Sequence, residues 1–62
     1  MVKTESEELL ENLRLEHRDL DEVVDLLIGT SPHDTGKIQR FKKRKLQIRD
    51  QIERLERQLQ ST

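Results

Sequence analysis

The sequence predicts an all-α protein, an antiparallel two-helix hairpin closed along a coiled-coil-like heptad seam and assembling into a helical bundle. Three observations predict it. Apolar residues recur at alternating steps of three and four over two long stretches, one loop-like stretch separates them, and the two halves of the chain carry opposite charge. The chain has 62 residues, room for one domain spanning 1–62. At 31% hydrophobic, 2% aromatic and 40% charged, it has too little apolar bulk for a globular core of ordinary shape. Long helices with a narrow buried stripe need less, and a Glu-, Leu-, Lys- and Arg-rich chain of this rhythm suits them. Disorder is the competing reading of so charged a composition, and the periodicity argues against it.

The first helix is expected over about residues 5–28. Thr4-Glu5-Ser6-Glu7 matches a capping box, in which the Thr hydroxyl takes the third amide of the helix and a Glu reaches back. Acids crowd the first turns, where the helix dipole favours them. Leu10, Leu13, Leu20, Val24 and Leu27 then follow the heptad spacing, with His17 in the one polar place. Gly29 comes next and is expected just past the helix end, in the left-handed conformation that glycine takes cheaply.

The loop is expected over about 29–34. Ser31-Pro32 reads as an N-cap followed by proline at the first helical position. Asp34 is the alternative cap, with Gly36 inside the first turn, so the second helix starts between 32 and 36. It is assigned to about 35–60, where Ile38, Phe41, Ile48, Ile52, Leu55 and Leu59 repeat at the same spacing around a polar Lys45. No proline or glycine interrupts residues 37–60.

Charge supports the fold-back. Residues 1–34 hold ten acids and three bases, and residues 35–62 hold three acids and nine bases. Folded antiparallel, positions whose numbers sum to about 65 lie opposite each other, so that Leu27 meets Ile38, Val24 meets Phe41, Leu13 meets Ile52 and Leu10 meets Leu55. Asp21, Glu22 and Asp25 are then expected near Arg40, Lys43 and Arg44. Leu9, Leu15, Val23, Leu26, Ile28 and Leu46 fall outside both seams. A lone hairpin would leave several of them in water, so a homo-oligomer is expected, with a dimer favoured.

The function classes narrow in the same way. With no cysteine there are no disulfides and no thiolate metal sites. The longest apolar run is Leu26-Leu27-Ile28, far short of the roughly 20 residues that cross a bilayer. The first fifteen residues carry four acids and no apolar stretch of signal type. A soluble cytoplasmic protein is therefore expected, without membrane partner or cofactor. His17 reads as a partly buried polar residue that fixes register, hydrogen-bonded to Asp21 one turn on; the sharper reading is a ligand or a pH switch. His33 lies about 24 Å further along at helical rise, so the two cannot chelate one metal ion. Carboxylate pairs such as Glu7 with Glu11 lie on solvated faces with no cleft to perturb them, so no enzymatic activity is expected.

Lys37, Arg40, Lys42, Lys43, Arg44, Lys45 and Arg49 form the most suggestive cluster. Read structurally, they match the acidic first helix. Read functionally, they contact an acidic partner, with nucleic acid as the leading case because a basic helix releases its counterions. Their distribution all round the helix, and the lack of any aromatic beyond the seam's Phe41, favour the structural reading.

Glu16-His17-Arg18-Asp19-Leu20-Asp21 and Phe41-Lys42-Lys43-Arg44-Lys45-Leu46-Gln47-Ile48-Arg49-Asp50-Gln51-Ile52 together resemble the YdcH-like family, small bacterial proteins of unknown function. That family's pattern is E-H-x-x-L-D, a turn containing Asp, then L-K-K-x-K-L-x-L-K-D-x-I. The resemblance runs from residue 13 to about 56. Phe41 stands where Leu is usual and Arg49 where Lys is usual, and each keeps the character of its place. The resemblance implies a helical hairpin in a bacterial cytoplasm and supplies no activity. The functional expectation is a small structural or adaptor protein working by helix-to-helix contact, with an unidentified protein partner besides its own copies; the alternative is a nucleic-acid-associated protein using the basic helix.

Overall fold

A computed structural model of the chain describes residues 3–60. It consists of two helices, α1 over Glu5–Thr30 and α2 over Thr35–Gln60, packed against one another as a hairpin. The molecule measures 46 × 21 × 12 Å. Since one α-helix with its side chains is about 10–12 Å across, the hairpin is a single layer of two helices. Its radius of gyration of 14.4 Å exceeds the roughly 11 Å of a compact chain this long.

Each helix end has a local cause. Thr4 is the N-cap of α1, extended at φ −69° and ψ 160°, and its hydroxyl oxygen accepts from the Glu7 amide at 3.2 Å. The other half of the capping box does not close. Glu5, Glu7 and Glu8 fill the first turn beside the positive end of the dipole. At the far end the expectation for Gly29 fails, because α1 runs through Gly29 and Thr30 and no glycine among the described residues has a positive φ. The Thr30 hydroxyl donates to the Leu26 carbonyl at 2.7 Å, and the Ser31 amide to that of Leu27 at 2.7 Å. Those two bonds satisfy carbonyls that a left-handed glycine cap would otherwise leave to its own motif. Ser31 precedes Pro32, is pushed out of the helical region and ends the helix at φ −139°.

The loop closes with the Asp34 amide donating to the Ser31 carbonyl at 3.1 Å. Of the two caps the sequence offers for α2, Asp34 is the one used. Its carboxylate accepts from the Lys37 amide at 3.2 Å and its carbonyl from the Ile38 amide at 3.1 Å. Gly36 sits in the first turn of α2.

The seam is built from the heptad residues. Leu10, Leu13, Val24, Ile38 and Ile48 are buried, Ile48 completely. Leu20, Leu27, Phe41, Ile52 and Leu55 are half-buried, as are the polar His17 and Lys45 at the two interrupted places. Leu59 departs from the seam and is 37% exposed. Its counterpart across the hairpin falls near Ser6, so no apolar side chain is there to cover it.

Candidate interaction surfaces

Outside the seam, side-chain chemistry is organised by ion pairs. Among the described residues three join the helices: Arg14 to Glu56 at 3.2 Å, Arg44 to Glu16 at 3.2 Å, and Lys45 to Asp21. They straddle the expected register, the first two reaching about a turn to either side of it. Three more follow the i, i+4 rule within one helix, Arg18 with Glu22, Arg49 with Glu53 and Arg54 with Asp50. Lys3 reaches across two turns to Glu11.

These pairs correct the expected charge matching. Asp21 does meet α2, but at Lys45, and Arg44 goes to Glu16. Glu22 pairs within α1, and Asp25, Arg40 and Lys43 make no ion pair among the described residues. The reason is rotational. At about 100° per residue Glu22 and Lys43 lie at the outer edges of their helices, too far round to meet across the seam.

The seven bases singled out in α2 therefore divide. Arg44, Lys45 and Arg49 are held by carboxylates, the first two from α1. Lys37, Arg40, Lys42 and Lys43, all within the first three turns of α2, make no ion pair among the described residues and are exposed. The acids of α1 thus neutralise the middle of α2 and leave its loop end basic.

His17 lies in the seam, half-buried, without the predicted hydrogen bond to Asp21. The Asp21 carboxylate is taken by the Lys45 ammonium instead. That hydrogen bond, and then the ammonium charge, hold the Asp21 carboxyl below its ordinary value; partial burial opposes them, and His17 adds a smaller push in the same direction. Sequence reasoning missed Lys45 as the partner, although both interruptions of the heptad were visible. His17 and Lys45 fall nearly opposite one another, so a polar layer crosses the seam there.

Two open grooves flank the seam. One, of about 550 Å³, is lined by His17, Lys45, Leu46, Arg49, Ile52, Glu53 and Glu56. Its Lys45, Arg49, Glu53 and Glu56 are already in ion pairs with each other or with α1. The other, of about 230 Å³, is lined by Leu9, Leu13, Gln51, Arg54, Leu55 and Gln58 and is mostly apolar. His33 lies in the loop, exposed. No group of three or more metal-ligating side chains comes together among the described residues, and no described helix is long and apolar enough to cross a membrane.

Searches of curated proteins and of solved structures gave no match to the chain. A family model described as "Protein of unknown function (DUF465)" matches residues 10–56, from the first buried leucine of α1 to the last inter-helix ion pair of α2. This span agrees with the stretch that resembles the YdcH-like proteins, which are members of the same family. The chain belongs to this family of small proteins of unknown function.

Proposed function

We propose that the protein is a small non-catalytic interaction module that works by laying its helices against other helices, its own copies included. One observation carries the reading. Five apolar side chains are buried in the hairpin, whereas Leu9, Leu15, Leu26, Ile28, Leu46 and Leu59 are each more than a third exposed. A single layer of two helices has no second layer to cover them, and domains are ordinarily built from two or more. The open grooves and mutually paired charges support a binding role over a catalytic one, since general acid–base work needs isolated groups in an enclosing site. The YdcH-like resemblance supports a bacterial cytoplasmic setting.

Concentration is the test. Folding coupled to helix association raises the melting temperature as the chain becomes more concentrated. Circular dichroism melts between about 5 and 500 µM should show that rise, with helicity retained throughout. A melting temperature flat over this range, together with sedimentation at one chain mass, sinks the self-association part of the reading.

The four unpaired bases at the loop end favour a second reading, contact with an acidic partner such as nucleic acid. Duplex DNA or RNA should then bind with a dissociation constant below about 1 µM at physiological salt, tighter than typical non-specific contacts. Changing Lys37, Arg40, Lys42 and Lys43 to Glu should abolish it with helicity intact. Binding weaker than about 10 µM, or binding indifferent to the four changes, removes this reading.

A further inference from the structure

Helical geometry, the ion pairs and the two grooves sort the side chains beside the seam into two broad faces of different character. On one, α1 presents Arg14, His17 and Asp21, and α2 presents Lys45, Arg49 and Glu56. The Arg14–Glu56 and Asp21–Lys45 pairs both belong here, and the larger groove runs along it. On the other, α1 presents Leu9, Leu13, Glu16, Leu20, Val23 and Leu27, steps of four and three that form a heptad stripe of their own. Across from this stripe α2 presents Leu55 between Gln51 and Gln58, with Arg44 joined to Glu16. One ion pair crosses this face where two cross the other. Leu9 is 49% exposed and Leu20, Val23, Leu27 and Leu55 are only half-buried.

We infer that a second copy of this chain seats on the Leu9–Leu27 face, with its α2 lying over α1 and its α1 over α2. The inference rests on the interaction-module reading and names the partner and the surface. Charge argues for the occupant. Along the margins of this face α1 carries Glu5 and Asp19, and α2 carries Arg40 and Lys43, none of them in an ion pair among the described residues. Two two-fold arrangements stack the faces. One sets α1 on the α1 of the second copy, so acids confront acids and bases confront bases. The other sets α1 antiparallel over α2 of the second copy, repeating between hairpins the register found within each. Asp19 then comes near Lys43 of the second copy, and every helix of the four-helix bundle borders helices of opposite charge. Leu15, on the back of α1, and Leu46, on the far side of α2, stay outside this contact, whereas Leu26 shares the heptad position of Glu5 and Asp19 and lies at its margin. Surface leucines are therefore not equivalent.

Sedimentation equilibrium of the full chain and its variants, each checked for helicity, tests the assignment. The unmodified chain should sediment at about twice 7.4 kDa at tens of micromolar. Leu9→Glu and, separately, Val23→Glu should each raise the dimer dissociation constant by about tenfold or more, and Leu46→Glu should leave it nearly unchanged. Leu9 is exposed enough that its variant folds even if the Val23 variant does not. Asp19→Lys should weaken the dimer about threefold, and adding Lys43→Glu should restore it. A dimer that ignores Leu9→Glu and dissociates with Leu46→Glu overturns the face but leaves the interaction reading standing. A dimer tightened by Asp19→Lys overturns the stacking order. A chain that stays at single mass throughout overturns the second copy as occupant.

Discussion

α1 and α2 have the same length, 26 residues, and meet the same partner, yet they hold their places by different chemistry. α1 is the more apolar helix: Leu9, Leu15, Leu26 and Ile28, four of the six large apolar side chains left in water among the described residues, belong to it. α2 holds Ile48, the one completely buried side chain among the described residues, and surrounds its seam with bases, of which Arg44, Lys45, Arg49 and Arg54 are tied to carboxylates. The contrast separates two quantities that composition alone merges. The apolar surface that makes the hairpin is concentrated where the helices touch, and the apolar surplus proposed to serve association is carried mainly by α1. Substitutions in the two classes should therefore change different measurements.

The largest effect should come from Ile48. Truncation to Ala opens a cavity at the tightest point of the seam and should cost about 2–5 kcal/mol, a large part of the stability of any small domain. Ile48→Pro also removes a backbone hydrogen bond in mid-helix and should abolish the helical circular dichroism altogether. Leu26→Ala, by contrast, removes a side chain that is 64% exposed and should shift hairpin stability by less than about 0.5 kcal/mol. Denaturant melts of the two alanine variants decide the matter. Equal losses would mean that the division between a seam-making and a surplus-bearing set is wrong.

The fold was legible because several signals agreed: heptad spacing, Thr4 as a cap, Asp34 as one of two candidate caps, and opposite net charge in the halves. What was not legible is instructive. Gly29 looks like a helix terminator only if no other group satisfies the last carbonyls, and the Thr30 hydroxyl and Ser31 amide do so. The charge partners were misjudged because sequence register fixes height along the helices, whereas pairing also needs the right rotation. Glu22 and Lys43 have the height and lack the rotation. The seven-base cluster likewise read as one unit in sequence, and only the reach of Glu16 and Asp21 divides it. The expected outward position of Leu9, Leu15, Leu26, Ile28 and Leu46 holds, and Val23 is half-buried.

A smaller effect of opposite sign should follow from the two glycines. Neither has a positive φ, both lie within helices, and a Cβ built on either meets nothing within 4 Å. Gly29→Ala and Gly36→Ala should each stabilise the protein by up to about 1 kcal/mol, chiefly by restricting the unfolded chain. The gain tests whether α1 truly continues to Thr30. A loss at position 29 in thermal melts would point to a left-handed glycine cap there.

The smallest expected effect belongs to the ion pair that crosses the seam's polar layer. The Asp21 carboxyl is held below its ordinary value by the Lys45 hydrogen bond and charge. The folded state therefore binds the Asp21 proton less readily than the unfolded chain, whose value is about 3.9. Its contribution to stability is fully present above that value and is lost as pH falls through the lower folded one. Asp21→Asn should accordingly melt slightly below the unmodified protein at neutral pH, and the gap should close under strong acid. Both side chains are in reach of water, at 30% and 53% exposure, so the gap should also shrink in about 1 M salt, where the screening length is only about 3 Å. Paired melts at neutral and strongly acid pH, each in low and high salt, separate this electrostatic role from a packing one. A gap that survives both acid and salt would mean that Asp21 acts through its shape or its backbone, and that Lys45 is held in the seam by something other than this carboxylate.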